Sequence, residues 1–167
     1  MTFSLIAAVS KNLVIGFKQK IPWYIPEDLY WFKKNTINKY VVMGRKTWET
    51  LHCKPLPMRK NIIISSNPIT TKGVISFLSI KELFQFEMKN KKKEIMIIGG
   101  SSIYFQMFPY VDKLYITSIN LYTQGDSYFP NFLNKNIWKA TFYKKNYYFS
   151  DLKKIEFCFN ILVRKTK

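Results

Sequence analysis

The stretch Ile95-Met96-Ile97-Ile98-Gly99-Gly100-Ser101-Ser102 decides the fold. Its apolar residues have strand length and no polar alternation, as in a strand covered on both faces. The small residues behind them open a helix over Ser102–Phe108 that Pro109 stops. The same order recurs where Tyr40-Val41-Val42-Met43 runs into Gly44-Arg45-Lys46-Thr47, and where Asn61-Ile62-Ile63-Ile64 runs into Ser65-Ser66. In an open α/β sheet ligands lie at the carboxyl ends of the strands, where glycine or serine opening a helix exposes backbone N–H groups to phosphate. A lone Gly-Gly is most often just a turn, and a lone Arg-Lys a solvated corner. Three such turns together can hold the several phosphates of a dinucleotide. Neither glycine pattern matches the Rossmann fingerprint or the Walker lysine loop, so neither of those folds is supported.

Outward from these units, further strand-length runs lie at Phe3–Val9, Val74–Phe77 and Lys113–Asn120, beside those at Tyr40–Met43, Asn61–Ser65 and Glu94–Ile98. Helical segments at Pro26–Thr36, Lys46–Leu51 and Ile80–Lys89 fall between several of them, which predicts a largely parallel sheet with crossover helices. After Asn120 the pattern changes. Trp138–Tyr148 and Ile155–Lys165 read as strands around a turn at Ser150-Asp151, an antiparallel hairpin added to the sheet. The eight runs predict an α/β fold in one domain over residues 1–167, with no internal repeat and no dividing linker.

A chain of 167 residues, 47% hydrophobic with 14 Phe and 11 Tyr, is ample for a core. No apolar run approaches the roughly 18 residues of a membrane span. The start, Met1 to Val9, has no basic leader and reads as a first strand, so a cytoplasmic protein without a membrane partner is expected. Cys53 and Cys158 lie far apart in sequence, and the single His52 beside Cys53 leaves structural zinc short of ligands; neither a disulfide framework nor a metal is expected. A net charge of +17 would ordinarily suggest nucleic acid, yet Arg45, Arg59 and Arg164 are the only arginines among 27 basic residues. Arginine's planar fork is the favoured tool for phosphate and base recognition, so no nucleic-acid partner is expected. The lysines are spread along the chain apart from Lys89-Asn90-Lys91-Lys92-Lys93, which reads as a solvated loop. Abundant Lys, Asn, Ile, Phe and Tyr fit an AT-rich coding sequence.

One acid sits awkwardly: Asp28, within Ile21-Pro22-Trp23-Tyr24-Ile25-Pro26-Glu27-Asp28-Leu29-Tyr30-Trp31-Phe32. Pro26 suits a first helical position, which puts Asp28 in the first turn with Trp31 and Phe32 on its side. A carboxylate against aromatic rings costs free energy unless donors reach it, and a ligand with paired N–H groups supplies them. The plain alternative is a solvated acid favoured by the helix dipole, a role Glu27 fits better. Triad hydrolysis lacks a Gly-x-Ser-x-Gly elbow and has only His52 to serve it; metal hydrolysis lacks ligands; Glu27 and Asp28, adjacent in sequence, point apart and make no glycosidase pair. What remains is an acid, an aromatic pocket and a phosphate cradle, which suits a reaction whose electrons come from a cofactor.

A series of short motifs then falls in a familiar order. They are Ser4-Leu5-Ile6-Ala7-Ala8, Val14-Ile15-Gly16, Ile21-Pro22-Trp23, Asp28-Leu29-Tyr30-Trp31-Phe32-Lys33 and Val42-Met43-Gly44-Arg45-Lys46-Thr47-Trp48-Glu49, followed by Leu56-Pro57, Arg59-Lys60-Asn61, Ile97-Ile98-Gly99-Gly100, Leu114-Tyr115-Ile116-Thr117 and Gly125-Asp126-Ser127-Tyr128-Phe129-Pro130. The chain resembles bacterial dihydrofolate reductase from end to end. The resemblance implies a twisted, mostly parallel sheet of eight strands with four flanking helices and an antiparallel C-terminal strand pair, matching the eight runs read from the sequence. It implies reduction of 7,8-dihydrofolate to tetrahydrofolate, in folate and one-carbon metabolism, by hydride from NADPH to the pterin carbon C6 with protonation of N5. It further implies a monomer that binds dihydrofolate and antifolate-type inhibitors.

Carried over by the same resemblance, Asp28 would accept hydrogen bonds from the pterin ring nitrogen and amino group. Thr117 would support that carboxylate, Trp23 would order a bridging water, and Tyr104 would lie near the nicotinamide. Ile6 and Ile98 would turn backbone carbonyls toward the pterin, while Leu29, Phe32 and Leu56 line the pocket. Arg59 would clamp the α-carboxylate of the substrate's glutamate, with Lys54 on that rim. For NADPH, Ala8 and the segment Val14, Ile15, Gly16 to Lys20 would hold the nicotinamide, with Ile21 in the mobile loop that covers it. Gly44, Arg45, Lys46 and Thr47, with Gly99, Gly100, Ser101 and Ser102, would bind the pyrophosphate at two helix starts, and Ile103 is a further cofactor-binding residue. Arg45 with Ser65 and Ser66 would meet the adenosine end and its 2′-phosphate.

Several residues depart from the family pattern. Ser101 stands where relatives often have a third glycine, so a side chain must fit against the cofactor phosphates, its hydroxyl a further donor there. Leu78 and Ser102 occupy positions where some relatives place basic residues, leaving the choice of NADPH over NADH to Arg45 and Lys46. The loop Gly16 to Ile21 is unusually basic, and Met58 replaces a small turn residue before Arg59. A reductase of another pteridine or a pyrimidine intermediate would share the phosphate turns but has no reason to carry Trp23, Asp28 and Arg59 together. A folate-binding protein with decayed activity is the remaining alternative, although all the pocket residues stand.

Overall fold

A computed structural model of the chain describes residues 2–89, 94–150 and 153–165. The lysine run at 90–93 and the turn residue Asp151 lie outside them. In chain order the elements are β1 (Phe3–Ser10), β2 (Val14–Gly16), α1 (Pro26–Thr36), β3 (Tyr40–Gly44), α2 (Arg45–Thr50), β4 (Lys60–Ile64), β5 (Val74–Phe77), α3 (Ile80–Lys89), β6 (Ile95–Gly99), α4 (Ser101–Met107), β7 (Lys113–Ile119), β8 (Ser127–Tyr128), β9 (Trp138–Ser150) and β10 (Lys153–Arg164). One eight-stranded sheet runs β5-β4-β3-β6-β1-β7-β10-β9. Its strands are parallel from β5 to β7, and β10 is antiparallel to both β7 and β9. The expected α/β sheet with its C-terminal hairpin is thus what the chain forms.

Strands β3 and β6, at the centre of the sheet, are continuous apolar runs over Tyr40–Met43 and Ile95–Ile98 because both of their faces are covered. Leu5, Val42 and Ile97 pack on one side with Leu83 of α3 and Ile103 and Met107 of α4, while Ile6, Val41, Met43 and Met96 pack on the other with Trp48 of α2 and the flank of α1. Helix α1 is pinned by Trp31, stacked between Phe159 at 4.5 Å and Phe142 at 5.6 Å. Helix α4 ends before Pro109, and Phe108–Tyr110 tightens into a 3₁₀ turn. Both α2 and α4 begin one residue earlier than the sequence reading placed them, at Arg45 and Ser101. The short pair β2 and β8, absent from that reading, forms a separate two-stranded ribbon. Strand β9, of 13 residues, lies at an edge of the main sheet. Among the described residues no helix is long and apolar enough to cross a membrane.

Candidate active site

Asp28 sits in the first turn of α1, where Pro26 starts the helix without a side-chain cap. Thr117 of β7 donates from its hydroxyl to Asp28 Oδ1 at 2.5 Å. The other carboxylate oxygen has no donor among the described residues. Burial pushes the Asp28 carboxyl above its ordinary value, and the Thr117 bond offsets only part of that. Trp31 and Phe32 flank it within the cluster that holds Ile6, Leu56 and Ile98, whereas Leu29 is 51% exposed at the mouth. The indole Nε1 of Trp23 is buried without an acceptor among the described residues, as are those of Trp31 and Trp138.

Tyr104 of α4 is buried and donates from its phenol to the Ile6 carbonyl at 2.6 Å. Burial, with the nearby Asp28 charge, raises its pKa and keeps it a donor. Gly99 makes room for it: the residue has φ +117°, and a Cβ there would stand 3.1 Å from the Tyr104 ring. The peptide from Gly99 to Gly100 is cis.

Arg59 is held on the far side. Its Nη1 donates to Thr36 Oγ1 at 3.1 Å and its Nε to the Pro57 carbonyl at 2.9 Å. Burial lowers its pKa, and no carboxylate pairs with it among the described residues. It borders a cleft of about 380 Å³ together with Asn38, Met58 and Lys60. Met58 adopts φ 57°, the left-handed conformation that explains why a small residue is expected there. Lys54 is exposed just past α2. Asn61, which the sequence reading missed, orders this turn. It accepts from the Leu56 N–H at 3.0 Å and donates to the carbonyls of Leu56 and Arg59 at 3.0 and 3.1 Å. A buried polar residue inside an otherwise apolar strand was the available signal.

At the carboxyl edge of the sheet α2 and α4 start side by side. Their N-cap residues, Gly44 and Gly100, make no side-chain cap, so the first-turn N–H groups are left open. A Cβ on Gly44 would meet Ile103 Cγ1 at 2.9 Å, and one on Gly100 would meet Thr47 Oγ1 at 3.1 Å. Two close, uncapped helix starts fit the phosphates of a dinucleotide. The side chains expected to help are otherwise engaged. Arg45 pairs with Glu49 one turn on, and Ser65, buried, accepts from the Asn67 N–H at 3.2 Å. Ser102 accepts from Gln106 Nε2 at 3.0 Å, while Lys46 and Ser66 are exposed. Ser101, expected to offer its hydroxyl to the cofactor, donates instead to the Tyr128 carbonyl at 2.6 Å.

The loop expected to cover the nicotinamide follows Ala8 of β1 and runs from Val14, Ile15 and Gly16 through Lys20 and the exposed Ile21. Phe17 and Lys20 close a tight turn whose central residues, Lys18 and Gln19, have φ 48° and 62°. Asp126 grips it: Oδ2 accepts from the Lys18 N–H at 2.8 Å, and the Asp126 N–H donates to the Gly16 carbonyl at 3.1 Å. The Lys18 bond is the main reason the Asp126 carboxyl lies below its ordinary value.

Fold and pocket together fit the class of nucleotide-dependent α/β enzymes: an acid with aromatic neighbours lies against a sheet whose carboxyl edge carries two uncapped helix starts. The profile of the family described as dihydrofolate reductase matches residues 2–164. The chain belongs to the dihydrofolate reductase family. It is 50% identical to the dihydrofolate reductase of Buchnera aphidicola subsp. Schizaphis graminum, over 98% of this chain and 100% of that one. It is 56% identical to the one of Buchnera aphidicola subsp. Acyrthosiphon pisum, over 87% of this chain and 89% of that one. In structure it is similar to Enterococcus faecalis dihydrofolate reductase complexed with NADP(H) and RAB-propyl, with TM-score 0.86, 30% identity and coverage of 99% and 97% of the two chains.

Proposed function

We propose that, in the reduction of 7,8-dihydrofolate by NADPH that this chain performs, Asp28 grips the pterin. Its undonated oxygen and the Thr117-bound one accept from the ring nitrogen and the amino group, and its charge favours the protonated pterin. N5 takes its proton through solvent, since Asp28 meets the far edge of the ring. The Thr117–Asp28 bond is the observation that carries this reading, because it orients a buried carboxylate with one face free. Arg59, lacking a carboxylate partner, clamps the substrate's α-carboxylate, with Lys54 at the rim. Trp23 offers its indole N–H to a bridging water, and Leu29, Phe32 and Leu56 supply apolar wall. The carbonyls of Ile6 and Ile98 face the pterin edge, and Tyr104 braces the first of them.

NADPH, when bound, supplies the hydride for C6. Gly44–Thr47 and Gly99–Ser102 would hold its pyrophosphate through backbone N–H groups, with Ile103 beside them, and Lys46, Ser65 and Ser66 with Arg45 would meet the adenosine end. Ala8, the Val14–Lys20 segment and Ile21 cover the nicotinamide and exclude water. The same pocket takes antifolate-type inhibitors. The reading includes one domain over residues 1–167 and a cytoplasmic monomer; light scattering should give a mass near 19.9 kDa. Following NADPH absorbance with dihydrofolate tests the core of it. Asp28→Asn should lose roughly 100-fold or more in turnover, and equal rates in the two proteins would refute the role given to Asp28.

A further inference from the structure

We propose that Ser101 is a positioning residue that fastens the covering loop to the start of α4. Its hydroxyl donates to the carbonyl of Tyr128 at 2.6 Å, across 27 residues of sequence. Among the described residues this is the only hydrogen bond between α4 and the segment 125–130. Tyr128 pairs with Val14 across the ribbon, and the next N–H, that of Phe129, donates to the Leu13 carbonyl at 2.8 Å. Two residues before Tyr128 stands Asp126, which accepts from the Lys18 N–H at 2.8 Å and donates to the Gly16 carbonyl at 3.1 Å. The short run 126–128 therefore joins the first turn of α4 to the loop.

The loop needs such a hold. Lys18 and Gln19 keep left-handed φ values of 48° and 62° without being glycine, a conformation that costs free energy unless outside contacts fix it. Asp126 supplies the contact, and Ser101 fixes the strand end that carries Asp126. Phe129 is sunk in the core, so the Ser101 bond acts where the segment leaves that anchor. A glycine at 101 has no hydroxyl and makes no such tie. Side chain and backbone of Ser101 thus serve different partners: the hydroxyl holds the ribbon, while its N–H belongs to the uncapped helix start. The cofactor half of this statement rests on the function proposed above; the loop half stands without it.

Amide hydrogen exchange on the free protein, read by NMR at Lys18, separates the two. In Ser101→Ala the Lys18 N–H should exchange roughly 3- to 10-fold faster, the yield of one net hydrogen bond, with the amides of β1 and β6 unchanged. Ser101→Thr should restore protection. Combined with Asp126→Ala, the Ser101→Ala change should add nothing further at Lys18, because both act on one link. Unchanged Lys18 exchange in Ser101→Ala, or additive effects in the double variant, overturns the proposal. In turnover, Ser101→Ala should lower kcat and leave the KM for NADPH near its original value. A raised KM with kcat intact would make the hydroxyl a phosphate ligand and also overturn it. Absence of NADPH turnover in the unaltered protein would strike only the function proposed above.

Discussion

Thr117 both places Asp28 and sets its charge, because a hydroxyl that donates to a carboxylate favours the ionised form against the burial that disfavours it. Thr117→Val removes the donor and should push the Asp28 pKa further up. On the role proposed for the ionised form, the acid limb of the kcat/KM profile should move to higher pH, while Thr117→Ser leaves it in place. A limb unmoved by valine would mean the bond has no part in catalysis. At Gly99 the same residue scale explains a sequence signal: glycine is required by the left-handed φ and by the ring of Tyr104 alike. Met58 is the opposite case, a bulky residue in a left-handed conformation, with its carbonyl held by the Asn38 N–H at 2.8 Å.

At the scale of elements, the ribbon of β2 and β8 is the part most sensitive to added volume. A Cβ on Gly125 would stand 2.2 Å from Val14 Cγ1, so Gly125→Ala must part the ribbon from the turn that holds Asp126. Single-turnover hydride transfer should slow, while the melting temperature changes little because the main sheet is untouched; normal transfer would show that the ribbon does not govern loop closure. The strands of the main sheet were legible because each carries a strand-length run rich in apolar, β-branched or aromatic residues, but β2 and β8 have three and two residues, too few for any periodicity. Asp28 was legible from its aromatic neighbours at helical spacing. The Ser101–Tyr128 and Arg59–Thr36 bonds were not, since each joins residues that only the folded chain brings together. The amino edge of the sheet holds another such cluster. Glu94 accepts from Ser4 at 2.6 Å, Lys39 at 2.5 Å and Tyr115 at 3.2 Å, joining β1, the residue before β3, and β7. Burial works against its ionisation, but the bonds from Lys39 and Ser4 and the charges of Lys39 and Lys113 hold its pKa below the ordinary value. The stability it contributes is therefore present above the ordinary glutamate range and lost as pH falls through the lowered pKa. Glu94→Gln should flatten that acid limb in denaturant titrations; an unchanged slope would assign the acid loss elsewhere.

Over the whole molecule, +17 charges favour the encounter with two anionic ligands and oppose compactness at low ionic strength. The same excess has a bearing on β9. Among the described strands it pairs only with β10, and along it Tyr143, Tyr147 and Phe149 are 61%, 40% and 68% exposed, with Lys144 and Lys145 between the first two. A long unsheltered flank of this kind invites a second molecule to add its own strand. Mutual repulsion of the positive charges opposes that addition, so particle size by light scattering should climb as the pH nears 9.8, and acetylating the lysines should bring the onset toward neutrality. Solubility here is guarded by the lysine ammonium groups, and whatever discharges them leaves the open margin of the sheet free to template a fibre.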